Sequence, residues 1–150
     1  MQTFLPYRSF TKSAQVLDRQ RLGKQRVEGK QILNALSDPT NSWRNHVAVR
    51  MWQGHENALK HYTNIMISEW SKRGYFNSMQ PYVVELPIVP PPWLDDPRLT
   101  LSHRCNLVRK LPEVYSLLWP EVDETAPYWW PVRLLNSLKN QEMINYWVGN

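Results

Sequence analysis

The chain has 150 residues, 42% of them hydrophobic, and 18 Lys and Arg against 13 Asp and Glu give a net charge of +5 and a pI near 9.5. That length suits one domain with a sizeable core, the apolar content excludes a disordered chain, and the basic balance points to an anionic partner. Cys105 is the single cysteine, which excludes an internal disulfide and a Cys-based zinc site and suits a reducing compartment.

Residues 1–10 are short and mixed, and Pro6 breaks any helix there. They lack the apolar core of a secretion signal, and no stretch nears the roughly 18 apolar residues of a membrane span. A bulky second residue, Gln2, generally discourages removal of an initiator methionine. A helix is expected from about Ser13, a good N-cap, to Leu36. At about 100° per residue, Leu22, Gly29, Ile32, Leu33 and Leu36 fall on one side. Arg19, Arg26 and Lys30 share a second direction; Arg21, Lys24 and Glu28 share a third.

Two readings compete for that third face. In the plain one, Glu28 makes an ordinary i,i+4 pair with Lys24 on a solvated surface. In the other, the cations face a nucleic acid. A lone carboxylate then weakens phosphate binding unless it does chemistry, by moving a proton or stabilising developing positive charge.

Residues 37–42 read as a turn. Trp43-Arg-Asn-His46 is followed by a long helical pattern to about Arg73, with Ala48, Met51, Trp52, Ala58, Leu59, Tyr62, Met66 and Trp70 as its apolar stripe and Gly74 as its stop. Residues 80–97 hold six prolines, so a long Pro-rich loop is expected, crossing back to the core, with Tyr82-Val-Val84 briefly extended. Asp96-Pro97 starts a further helix, which Pro112 breaks or restarts. It carries a second basic cluster of His103, Arg104, Arg109 and Lys110. Tyr128-Trp-Trp-Pro131 forms an aromatic knot, and Arg133 to Trp147 reads as a terminal helix. The fold class is all-α, a compact single domain over 1–150 in which residues 133–150 form a helical extension.

His46, His55, His61 and His103 show no zinc spacing, and there is no Gly-rich phosphate loop and no Ser or Cys nucleophile motif. No metal and no cofactor is expected. What remains is a lone acid, many aromatics and an α-amine. An amine can attack the anomeric carbon of a nucleoside, expel the base and leave a Schiff base whose elimination cuts the strand. An α-amine suits this role, because its usual pKa of about 7.7–8.0 leaves an appreciable neutral fraction at physiological pH.

At this point the sequence resembles the pyrimidine-dimer DNA glycosylases of the phage endonuclease V type. Leu17-Asp-Arg-Gln-Arg-Leu22 followed by Glu28 matches the family's first segment. Trp43-Arg-Asn-His46 and Arg73-Gly-Tyr75 match a second. Ser102-His-Arg104, Lys110-Leu-Pro112, Tyr115 and Tyr128-Trp-Trp-Pro131 match later ones, so the resemblance spans about residues 1–132. It implies a compact helical domain, the α-amine as nucleophile and Glu28 as the essential acid. Val27 stands where the founding enzyme has an arginine, and Arg26 is the candidate to replace it. Gln2 favours retention of Met1 as the nucleophile; processing passes the role to Gln2. Gln2, Arg19, Gln20, Arg21, Lys24, Lys30, Arg44, Asn45, His46, His103, Arg104, Arg109 and Lys110 are the expected DNA contacts.

The implied function is a DNA repair glycosylase with AP-lyase activity. Its partner is double-stranded DNA carrying a pyrimidine lesion, cyclobutane dimers by default. The protein is expected to act as a monomer, away from membranes, in the cytoplasm of a bacterial or phage-infected cell. The rival class is a non-catalytic module for distorted or modified DNA. A third is a basic helical protein that binds RNA or another protein.

Overall fold

A computed structural model describes residues 1–132 and 146–148. The fold class is all-α. The described chain falls into two units, Met1–Pro91 and from Pro92 onward.

The first unit contains four helices: α1 (Phe10–Val16), α2 (Arg19–Ser37), α3 (Val47–Arg50) and α4 (Glu56–Lys72). The single helix expected from Ser13 is two. Ser9 caps α1 by accepting from the Lys12 N–H, Leu17 is extended at φ −69°, ψ 136°, and Asp18 caps α2 by accepting from the Arg21 N–H. Ser13 lies inside α1, where its buried hydroxyl donates to the Tyr7 carbonyl and accepts from the Tyr7 N–H. The helical pattern expected between His46 and Arg73 is also broken. His46 caps the short α3, and Gly54, at φ +82°, turns the chain before α4. The expected stop at Gly74 is present, at φ +86°.

Leu22, Ile32 and Leu33 of α2 are buried as the periodicity requires, and α2 packs on α4. Gly29 permits the close approach: a Cβ there would lie 2.2 Å from the Thr63 hydroxyl oxygen. Phe10 meets Trp52 and Tyr62 edge-to-face, and Trp52 and Tyr62 are tilted at 44°, in an aromatic cluster at the centre. Across this core runs the buried, non-helical segment Gln2–Pro6. The Trp52 indole N–H donates to the Thr3 hydroxyl, and the Tyr62 hydroxyl donates to the Phe4 carbonyl. After α4 the Pro-rich loop is laid along that helix. Asn64 pairs with the backbone of Tyr82 through both its amide atoms, and Asn57 does the same with Glu85.

The second unit opens with a 3₁₀ turn at Pro92–Asp95, followed by α5 (Pro97–Lys110) and α6 (Pro112–Leu118). Asp96 caps α5 with Pro97 in its first turn, and Pro112 starts α6, both as expected. The aromatic knot is a strand, β1 (Tyr128–Trp130), paired antiparallel with β2 (Tyr146–Val148) so that Trp129 faces Trp147 in register. The expected terminal helix therefore does not include Tyr146 or Trp147; its remainder lies outside the described residues. No helix among the described residues is long and apolar enough to cross a membrane.

Candidate active site

Glu28 sits on the third turn of α2. Its side chain is 12% exposed, against 69% for Lys24, whose ammonium lies 3.9 Å away. So loose a pair at a solvated cation contributes at most about 1 kcal/mol. The carboxylate is held elsewhere. Oε2 accepts from the Gln2 N–H at 3.2 Å and from the Gln25 amide at 3.2 Å. The i,i+4 surface pair is thus the lesser of its contacts. Met1, Lys24, Val27, Glu28, Gln31 and Trp43 line a cleft of about 250 Å³ over this carboxylate. His46 lies nearby, its ring 5.7 Å from that of Trp43. Burial, and then the positive charge of the residue-1 amine, push its imidazole below the usual histidine range. The chain start, a largely buried carboxylate, a lysine and an aromatic wall are therefore in one place.

The remaining expected contacts divide by what their side chains already do. Arg19, Gln20, Lys24, Lys30 and Asn45 are exposed. Arg21 pairs with its own cap, Asp18, at 3.2 Å. Arg44 donates to the carbonyls of Ala35 and Leu36, where its charge caps the C-terminus of α2. Gln2 is buried, and its side-chain oxygen accepts from the Thr3 N–H, so it faces the core rather than a phosphate.

Arg26, the candidate partner of Glu28, does not join the cleft. Its guanidinium lies over the Trp70 ring at 4.3 Å and donates to Asn77 at 2.6 Å. It lines a second, wider cleft of about 760 Å³ with Arg19, Gln20, Gly23, Val27 and Trp70. Residues 26 and 28 are about 200° apart around a helix, so both cannot face one small site.

In the second unit, His103 is fully buried, and desolvation pushes its pKa down to about 3. It is a core residue, buried where the sequence led us to expect a phosphate contact. Arg109 donates to the carbonyls of Glu124 and Ala126 and to Asn106, tying the following loop to α5. Arg104 lies 5.5 Å over the Trp119 ring, and Lys110 is exposed at the end of α5.

Sequence reading missed Gln25, Trp43 and Gln31. Gln25 had a signal, since it interrupts the apolar side of α2 between Leu22 and Gly29. Among the described residues no three His, Cys, Asp or Glu side chains gather as a metal site.

The first unit is thus helical, with a carboxylate under the chain start on a helix that exposes Arg19, Lys24 and Lys30. The family model described as pyrimidine dimer DNA glycosylase matches residues 1–82, and the chain belongs to that family. No curated protein and no solved structure matches it. The match covers α1 to α4 and the whole of the cleft; the motifs from Ser102 onward lie beyond it. Family membership makes the protein a DNA repair glycosylase directed at pyrimidine-dimer DNA.

Proposed function

We propose that the protein excises a pyrimidine lesion, by default a cyclobutane dimer, from double-stranded DNA and then cuts the strand through a Schiff base on its α-amine. The observation that carries this reading is the 3.2 Å hydrogen bond from the Gln2 N–H to Glu28, in the cleft that Met1 lines. A neutral amine attacks C1′ of the damaged nucleotide. The bond from C1′ to the base breaks, and its electron pair leaves with the base, which takes up a proton. The amine loses one proton, the C1′–O4′ bond opens with O4′ taking up a proton, and the open sugar is left as a protonated Schiff base. Removal of a proton from C2′ then expels the 3′ phosphate.

Glu28 is suited to two tasks here. It faces the cationic sugar with negative charge, and it carries protons between amine, base and C2′. If Met1 is retained, its amine is the nucleophile. If it is processed, the nitrogen already 3.2 Å from the carboxylate becomes the free amine of Gln2. The exposed cations Arg19, Lys24 and Lys30 supply phosphate contacts on α2.

Borohydride reduction in the presence of dimer-containing duplex tests the proposal. A covalent protein–DNA adduct, absent with undamaged duplex, is expected. Tight, damage-selective binding with neither adduct nor base release would make the protein a recognition module instead.

A further inference from the structure

Gln25 is 1% exposed on the apolar side of α2, where a polar side chain is costly unless fully hydrogen-bonded. Its amide is used at both ends. Oε1 accepts from the Phe4 N–H at 2.8 Å and shares the single proton of the Tyr62 hydroxyl, 2.7 Å away, with the Phe4 carbonyl, while Nε2 donates to Glu28 Oε2 at 3.2 Å. The orientation is forced. A backbone N–H can only donate and a carboxylate can only accept, so a reversed amide would set oxygen against oxygen. The Gln2 N–H meets the same carboxylate oxygen. One glutamine thus ties the position of the chain start to the position of the acid.

We infer that Gln25, braced by Tyr62, is a positioning residue that sets the geometry between the α-amine and Glu28, an inference that rests on the proposed Schiff-base chemistry. Tyr62 comes from α4, so the α2–α4 packing is part of the device. Burial, and then the charge of Glu28, hold its phenol well above the usual tyrosine range, so it remains a proton donor under working conditions. The charged and titratable groups around Glu28 are Lys24 on its own helix, the residue-1 amine of the leading segment, Tyr62 on α4 and His46 ahead of α3.

The decisive variant is Gln25→Glu. Its carboxyl has the same shape and still accepts from Phe4 and Tyr62. Towards Glu28 it can donate only while the two carboxyls share a proton. Base release in Gln25→Glu is therefore expected to approach the wild-type rate at pH 5. It should fall at least about tenfold below wild type by pH 8, with affinity for dimer duplex within about threefold. Tyr62→Phe should lower release without that pH signature. A Gln25→Glu profile parallel to wild type would overturn the inference. If Gln25→Glu does not fold, Tyr62→Phe decides: unchanged release overturns it, and reduced release at unchanged affinity upholds it. If wild type itself releases no base, the proposed chemistry fails. The inference is then judged by carboxyl carbon NMR of Gln25→Glu, where two well-separated titration steps uphold the coupling and overlapping ordinary steps overturn it.

Discussion

Glu28 owes its value to what surrounds it. A carboxylate 12% exposed, with two donors on one oxygen, keeps its orientation without an attached cation. Glu28→Gln keeps the shape and loses both charge and proton transfer. We expect base release to fall by about 100-fold or more, with DNA affinity and melting temperature little changed, measured by single-turnover release and by calorimetry. His103 supports a prediction on stability. Its folded pKa, about 3, lies below the ordinary 6.5 of an unfolded histidine. Between those values the unfolded chain binds the proton and the folded one does not. Stability is therefore full above pH 6.5 and is lost as pH falls towards 3, by up to about 1.4 kcal/mol per pH unit. Denaturant melts from pH 7 to 4 check this, and His103→Gln should flatten the slope. At this scale the lone acid among five cations was legible from sequence. The role of Gln25 was not, because a single polar residue in an apolar stripe does not reveal which donor and which acceptor it will meet.

Among elements, the contact between α2 and α4 fixes the site, since α2 carries Glu28 and Gln25 and α4 carries Tyr62. Gly29 is where the helices come closest. Gly29→Ala gains about 1 kcal/mol of helix propensity but drives a methyl into buried Thr63, whose hydroxyl is committed to the Leu59 carbonyl. We expect a net loss of about 1–3 kcal/mol, read as a lower urea midpoint at unchanged slope. Base release should fall as well, because Tyr62 moves with α4. The helical period identified these elements correctly but ran them together. Leu17 and Asp18 fit an uninterrupted helix as well as a break, and local capping by Asp18 decides for the break. Tyr128, Trp129 and Trp130 favour a strand by type, but three residues ahead of Pro131 are too short to show an alternation.

For the molecule as a whole, net charge says that the partner is anionic, and the structure sorts the cations by availability. Arg44, Arg73 and Arg109 spend their guanidinium groups on backbone carbonyls; Arg73 alone reaches Ala14, Gln15 and Leu17. Arg19, Lys24 and Lys30 remain exposed. Arg19→Ala and Lys30→Ala should each weaken binding to any duplex and reduce the salt slope by about one unit. Arg44→Ala should instead lower the melting temperature, with the salt slope little affected. Titrations at several salt concentrations, beside thermal melts, separate the two groups. A sequence gives the number of cations; which of them are taken by helix ends depends on where the helices stop.

The central claim is that the α-amine under Glu28 forms the bond to DNA. Mass-spectrometric mapping of the borohydride-reduced adduct tests it most directly. The account predicts that the sugar fragment lies on the first residue of the mature chain, Met1 or, after processing, Gln2, and that acetylating that amine abolishes the adduct. A modified Lys24 or Lys30, with the N-terminal peptide unaltered, would contradict it.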